Sequence, residues 1–100
     1  MQVLATQFTD KGISYYQLAR EGTVALYSQQ GADWKKPRYE VIVIRVSKEH
    51  VWPNGAVSPE QETYPTARVW GQFGWTHHTE ASARAQMARL VARREGEVHA

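Results

Sequence analysis

His77 and His78, with Glu80 close by, come nearest in this chain to a metal site by residue type. Imidazole nitrogens and carboxylate oxygens ligate zinc and related ions. The spacing argues against it. Adjacent histidine side chains point apart, no His-x-x-x-His pair is present, and there is no cysteine to complete a set. His50 and His99 are distant and unpatterned. The expectation is no metal and no cofactor. Nucleophilic catalysis asks for a Ser, Thr or Cys beside a base and an orienting acid. Ser14, Ser28, Ser47, Ser58 and Ser82 all lack a Gly-x-Ser-x-Gly context. Paired carboxylates would have to come from Asp10, Asp33, Glu40, Glu49, Glu60 or Glu62. Most of these fall in turns or at strand ends, where exposure to solvent is expected. Gly71-Gln72-Phe73-Gly74 sets two glycines beside aromatics and does not form a phosphate cradle. The residues thus predict a protein that is not an enzyme; an enzyme would need a pocket of convergent polar groups assembled in space.

Binding chemistry is better represented. Lys35, Lys36 and Arg38 sit beside Trp34 and Tyr39, a basic loop with aromatics. Such a mixture suits single-stranded nucleic acid, where bases stack and phosphates meet cations. The same loop residues are the candidate contacts for a protein partner. Trp34 and Trp52 stand in connections among polar residues and are the aromatic candidates for contact. Arg89, Arg93 and Arg94 fall on a helical segment, where a solvated face is the ordinary role and a basic contact surface the functional one. The candidate partner-binding set is therefore Trp34, Lys35, Lys36, Arg38, Trp52, Arg89 and Arg93. A net charge of +2 makes any affinity from phosphate contacts modest and salt-dependent. Trp70, Phe73 and Trp75, with two glycines among them, have two readings. They wedge a short helix against the core, or they form an exposed patch. The small core that 100 residues can build favours the wedge.

These residues need elements to hold them. Residues 3–9 read as a strand, and Gly12 supplies the left-handed position of a hairpin. Residues 13–20 and 23–29 alternate and are joined by the turn at Glu21-Gly22. Residues 38–46 give the strongest strand. Their centre, Val41-Ile42-Val43-Ile44, is β-branched throughout and reads as a central strand buried on both faces. Pro53-Asn54-Gly55 marks a turn, and residues 56–63 read as a polar loop with a short extended piece. Pro65 suits the first position of a helix over residues 66–72, stopped by Gly71 or Gly74. Thr76 or Thr79 can cap a final helix over residues 81–94. Ala83, Met87, Leu90 and Val91 form its apolar stripe, and Gly96 ends it.

The prediction is one α+β domain over residues 1–95, with 96–100 as a frayed tail. It has about four mostly antiparallel strands, then a short helix and a longer C-terminal helix packed on one face. The absence of cysteine rules out a disulfide-stapled secreted scaffold. Residues 1–8 lack the basic head and apolar stretch of a signal peptide. The run Val41 to Ile44 is far too short to span a bilayer. A cytoplasmic protein with no membrane partner is expected.

The order of motifs over residues 13–92 resembles small uncharacterised proteins of bacteriophages, prophages and plasmids. The residues that carry it are Tyr39-Glu40-Val41-Ile42-Val43-Ile44, the segment from Lys48 to Gly55, Tyr64-Pro65, and Trp70-Gly71 with Gly74-Trp75-Thr76 before an alanine-rich helix. The resemblance implies a mobile-element accessory protein in a bacterial host. Such proteins commonly bind and block a host factor, as anti-CRISPR inhibitors do. The expected function is therefore non-catalytic occlusion of a host or phage macromolecule, most directly a protein. The alternative is a nucleic-acid-binding protein using residues 34–38 and the arginine face of the last helix. A homo-oligomer is a further expectation, through an unpaired strand edge or an exposed Trp patch.

Overall fold

A computed structural model describes the backbone of residues 1–99 and the side chains of residues 1–94; the side chains of the expected tail and Ala100 lie outside the described residues. The chain forms β1 (Gln7–Asp10), β2 (Ile13–Glu21), β3 (Val24–Gly31), β4 (Arg38–Val43), β5 (Arg45–Ser47), β6 (His50–Val51), β7 (Val57–Ser58) and β8 (Gln61–Thr63). A single 3-10 turn (Ala67–Val69), β9 (Gly74–His77) and α1 (Glu80–His99) complete it. The fold class is α+β. Its main sheet is antiparallel and runs β1-β2-β3-β4-β9. Two small hairpins, β5 with β8 and β6 with β7, branch from it.

The centre of the sheet follows from composition. Val24, Leu26 and Val41 point to one face, and Ala25, Tyr27, Ile42 and Ile44 to the other. Because side chains alternate along a strand, an unbroken apolar run supplies both faces. β3 pairs with β4 from Val24↔Val43 to Gln29↔Arg38, so the two runs lie side by side. The α1 stripe covers the first face: Ala83 and Met87 are buried there, with Leu90 and Val91 at its margin. Thr79 caps this helix, its Oγ1 accepting from the Ser82 N–H at 3.2 Å. The second face is covered by Leu4, Phe8, Tyr15, Tyr64 and Trp70.

Several expectations change. The sheet has five strands, because Gly74–His77 pairs with β4 through Ile42↔Gly74 and Val41↔Trp75. The glycine and aromatic content of that segment hides its strand character; the free edge of β4 confers it. The helix expected over 66–72 contracts to Ala67–Val69, since Gly71 at φ +90° turns the chain back into β9. The strand expected over 38–46 breaks at Ile44, and Arg45–Ser47 leaves to pair with β8. The first strand starts at Gln7; Gln2 instead makes a parallel bridge to Gln61. The backbone of α1 is helical past Gly96, where the sequence placed its end.

Two contacts fasten the second face. The Trp70 ring lies on Gly74, where an added Cβ would sit 2.3 Å from the ring. The Arg20 guanidinium donates to both oxygens of Glu62, at 2.7 and 2.6 Å. Leu4 N–H donates to the same carboxylate at 2.9 Å. That pair clamps the end of β2 to β8 and the N-terminal segment. Hydrogen bonding to Arg20 holds the Glu62 carboxyl down at about 2.

Two outcomes follow. Gly74→Ala forces Trp70 off its seat and should lower stability by about 1–3 kcal/mol in thermal melts. The Glu62 contribution is complete above the ordinary carboxylate range and is lost as pH falls towards about 2, because the unfolded chain then binds the extra proton. Glu62→Gln should remove that acid-side loss; an acid limb unchanged in the variant would contradict the clamp.

Candidate binding site

The second sheet face carries a cleft of about 800 Å³ between the β1–β2 hairpin and residues 64–70. Its walls are Phe8, Tyr15, Tyr64 and Trp70; Glu40 lies at its floor, and Asp10 and Lys11 at its mouth. The strand register explains the floor. Glu40 alternates with Ile42 and Ile44 along the central β-branched run, so it shares their face and is only 9% exposed. The exposure expected for this carboxylate is therefore incorrect.

Glu40 is held by neutral groups. The Tyr64 hydroxyl donates to Oε1 at 2.6 Å, and Thr76 Oγ1 lies 3.4 Å from Oε2. Trp70 Nε1–H in turn donates to Thr76 Oγ1 at 3.1 Å, so indole, hydroxyl and carboxylate form one line. Desolvation pushes the Glu40 carboxyl above its ordinary value; the bonds from Tyr64 and Thr76, and Arg38 nearby, oppose this. Burial also raises the Tyr64 hydroxyl, and the adjoining Glu40 charge adds to the effect. The rings interlock by edges. Tyr64 meets Phe8, Tyr15 and Tyr27 in T-shaped contacts at 5.8, 5.5 and 5.3 Å, while Phe8 stacks on Tyr15 at 4.5 Å.

The sequence-predicted contact residues are dispersed over three places. Trp34, Lys35 and Lys36 occupy the β3–β4 connection, and Arg38 begins β4. The Trp34 ring covers Gly31, where a Cβ would approach it to 2.5 Å, and the Arg38 guanidinium stacks on the ring at 3.8 Å from its centroid. Trp34 and Arg38 are thus half-buried, while Lys35 and Lys36 are exposed. Trp52 is 50% exposed on the β6–β7 hairpin, beside His50. Arg89 and Arg93 belong to α1, on the other side of the sheet from the Arg38 side chain. Arg89 lies near Trp75 and His77, and Arg93 near Phe73. Of the aromatic block, Trp70 packs on the second face while Trp75 pairs with Val41 on the helix side. All three of its rings are half-buried, nearer the wedge than the patch.

One serine and one histidine do meet. Ser82 Oγ is 2.9 Å from His77 Nδ1, and Nε2 of the same ring bonds Gln86 Oε1. An amide oxygen only accepts, which places the His77 proton on Nε2. The order resembles nucleophile, base and orienting group. Ser82 Oγ, however, also lies 3.2 Å from the Thr79 carbonyl inside the helix cap. The chain of bonds fastens β9 to the first turns of α1. Among the described residues no group of three or more His, Cys, Asp or Glu side chains is placed to hold a metal ion. No described helix is long and apolar enough to cross a membrane.

Sequence reasoning missed the cleft, although one signal was present: Glu40 immediately precedes the apolar run at the parity of Ile42 and Ile44. Nothing local announced Tyr64 as its cover. No protein-family model, curated protein or solved structure matches this chain.

The raised Glu40 carboxyl gives a pH dependence opposite in sign to that of Glu62. The folded state holds this proton more tightly than the unfolded chain, so stability falls as pH rises from the ordinary carboxylate range through the folded titration. In Glu40→Gln that decline should disappear from urea unfolding measured between mild acid and neutrality. A decline of equal size in the variant would assign it to other groups.

Proposed function

We propose that this chain is a non-catalytic accessory protein of a mobile genetic element that attaches to a host or phage protein and occludes it. The observation that carries the reading is the β3–β4 connection. There a cation and an aromatic ring are stacked before any partner arrives, with Lys35 and Lys36 exposed beside them. An anchor already held in place loses little side-chain freedom on binding, which favours affinity. Trp and Arg are also the side chains that dominate protein interfaces. The resemblance of residues 13–92 to phage and plasmid proteins supplies the biological setting, a bacterial cytoplasm. Trp52 on its hairpin would extend the contact, and Arg89 and Arg93 offer a separate surface on α1.

Nucleic acid is the second reading, and the Trp34–Lys36 mixture is what favours it. The dispersion of the basic residues over opposite sides of the sheet weighs against it, because phosphate binding rewards a continuous cationic track.

A tagged pull-down from bacterial lysate, with and without nuclease, tests both. The expected result is a stoichiometric protein that survives nuclease and is lost from Lys35→Glu/Lys36→Glu, with the melting temperature unchanged. Retention by the double variant would remove the loop from the account. Recovery that vanishes with nuclease, and steeply with salt, would move the function to nucleic acid.

A further inference from the structure

The Glu40 cleft has a chemistry of its own, independent of the basic loop. We propose that it is a binding site for a small organic cation, an ammonium or guanidinium group on an apolar body. Glu40 would act as its counter-ion and Phe8, Tyr15, Tyr64 and Trp70 as its walls.

A carboxylate that is 9% exposed is costly to ionise unless a cation faces it. Neither the Arg20–Glu62 pair nor the Arg84–Glu80 pair involves Glu40. Arg38, on the same strand and face, lends Glu40 favourable charge but makes no ion pair with it, its guanidinium stacking on the Trp34 ring. Tyr64 and Thr76 supply hydroxyls and Gln29 an amide, all neutral donors that bring no compensating charge to Glu40. Aromatic rings attract cations through their negative faces, and the effect strengthens where water is excluded. A cleft of about 800 Å³ lies within the range that houses small ligands. The mouth carries Asp10 and Lys11, exposed and of opposite sign, so the charge that selects is that of Glu40 at the floor. An anion would meet Glu40 at the floor, so the site selects against it.

The test compares benzylamine with benzyl alcohol, near-isosteres that differ in charge at neutral pH. The readout is the Trp70 indole N–H resonance, because that group is bonded through Thr76 to Glu40. Saturable shifts with the amine are expected, with affinity at least about tenfold weaker for the alcohol, a gap of about 1.4 kcal/mol. Glu40→Gln should weaken the amine to the level of the alcohol. Equal binding of amine and alcohol to the unaltered protein would overturn the proposal, without reliance on any variant. So would an absence of shifts with either probe, or an amine affinity unchanged in a folded Glu40→Gln. A capped Gly-Lys-Gly peptide then identifies the source. Binding of the peptide as well supports a cationic side chain of a polypeptide, and binding of the amine alone supports a free amine; both outcomes keep the site.

Discussion

The burial of β3 and β4 on both faces is the constraint on which the remaining structure depends. Two apolar runs, Val24 to Tyr27 and Val41 to Ile44, lie paired at the middle of a five-stranded sheet. A sheet buried on both sides needs two covers, and a chain of 100 residues has little material for them. One cover is α1, whose Ala83 and Met87 close over Val24, Leu26 and Val41. The other is assembled from separate segments: the N-terminal stretch at Leu4, the β1–β2 hairpin through Phe8 and Tyr15, and the connection through Tyr64 and Trp70. Aromatics dominate this second cover because each ring shields a large area of sheet.

A cover made of separate pieces explains both the clamps and the cleft. The Arg20–Glu62 pair and the Trp70–Gly74 seat hold pieces that would otherwise have no continuous backbone to fix them. Where the hairpin and the residue 64–70 connection fail to meet, a cleft remains, and Glu40 lies beneath it. The position of the carboxylate is thus a consequence of strand parity, while its partial solvation and its tyrosine partner are consequences of the cover. The loop over residues 34–38 is organised by a different rule. It is a surface connection stiffened by one glycine that lets Trp34 lie flat and one arginine that stacks upon it.

Periodicity made much of this legible. The two hairpin strands and the central strand were visible as alternating or β-branched runs, and α1 as a stripe at helical spacing. The exposed lysines of the loop were legible too, as polar residues beside a proline. What escaped was every feature that rests on contact between distant segments. Gly74–His77 has no strong strand propensity of its own and became a strand because β4 offered an unpaired edge. Residues 66–72 have an acceptable helical composition, yet the turn at Gly71 needed to reach that edge leaves room for only one 3-10 turn.

The sequence by itself determined the class of fold, the two-sided burial of Val41 to Ile44 and the stripe of the last helix. These rest on periodicities of two and of 3.6 residues, which are local properties of the chain. Only the tertiary structure decided that Glu40 lies buried beneath Tyr64, that Arg38 stacks on Trp34, and that Arg89 and Arg93 stand apart from the loop. Such relations depend on which segments become neighbours across 24 or 36 positions, as between Glu40 and Tyr64 or Thr76. Local pattern fixes which face a side chain occupies; the covering segment fixes what it meets there.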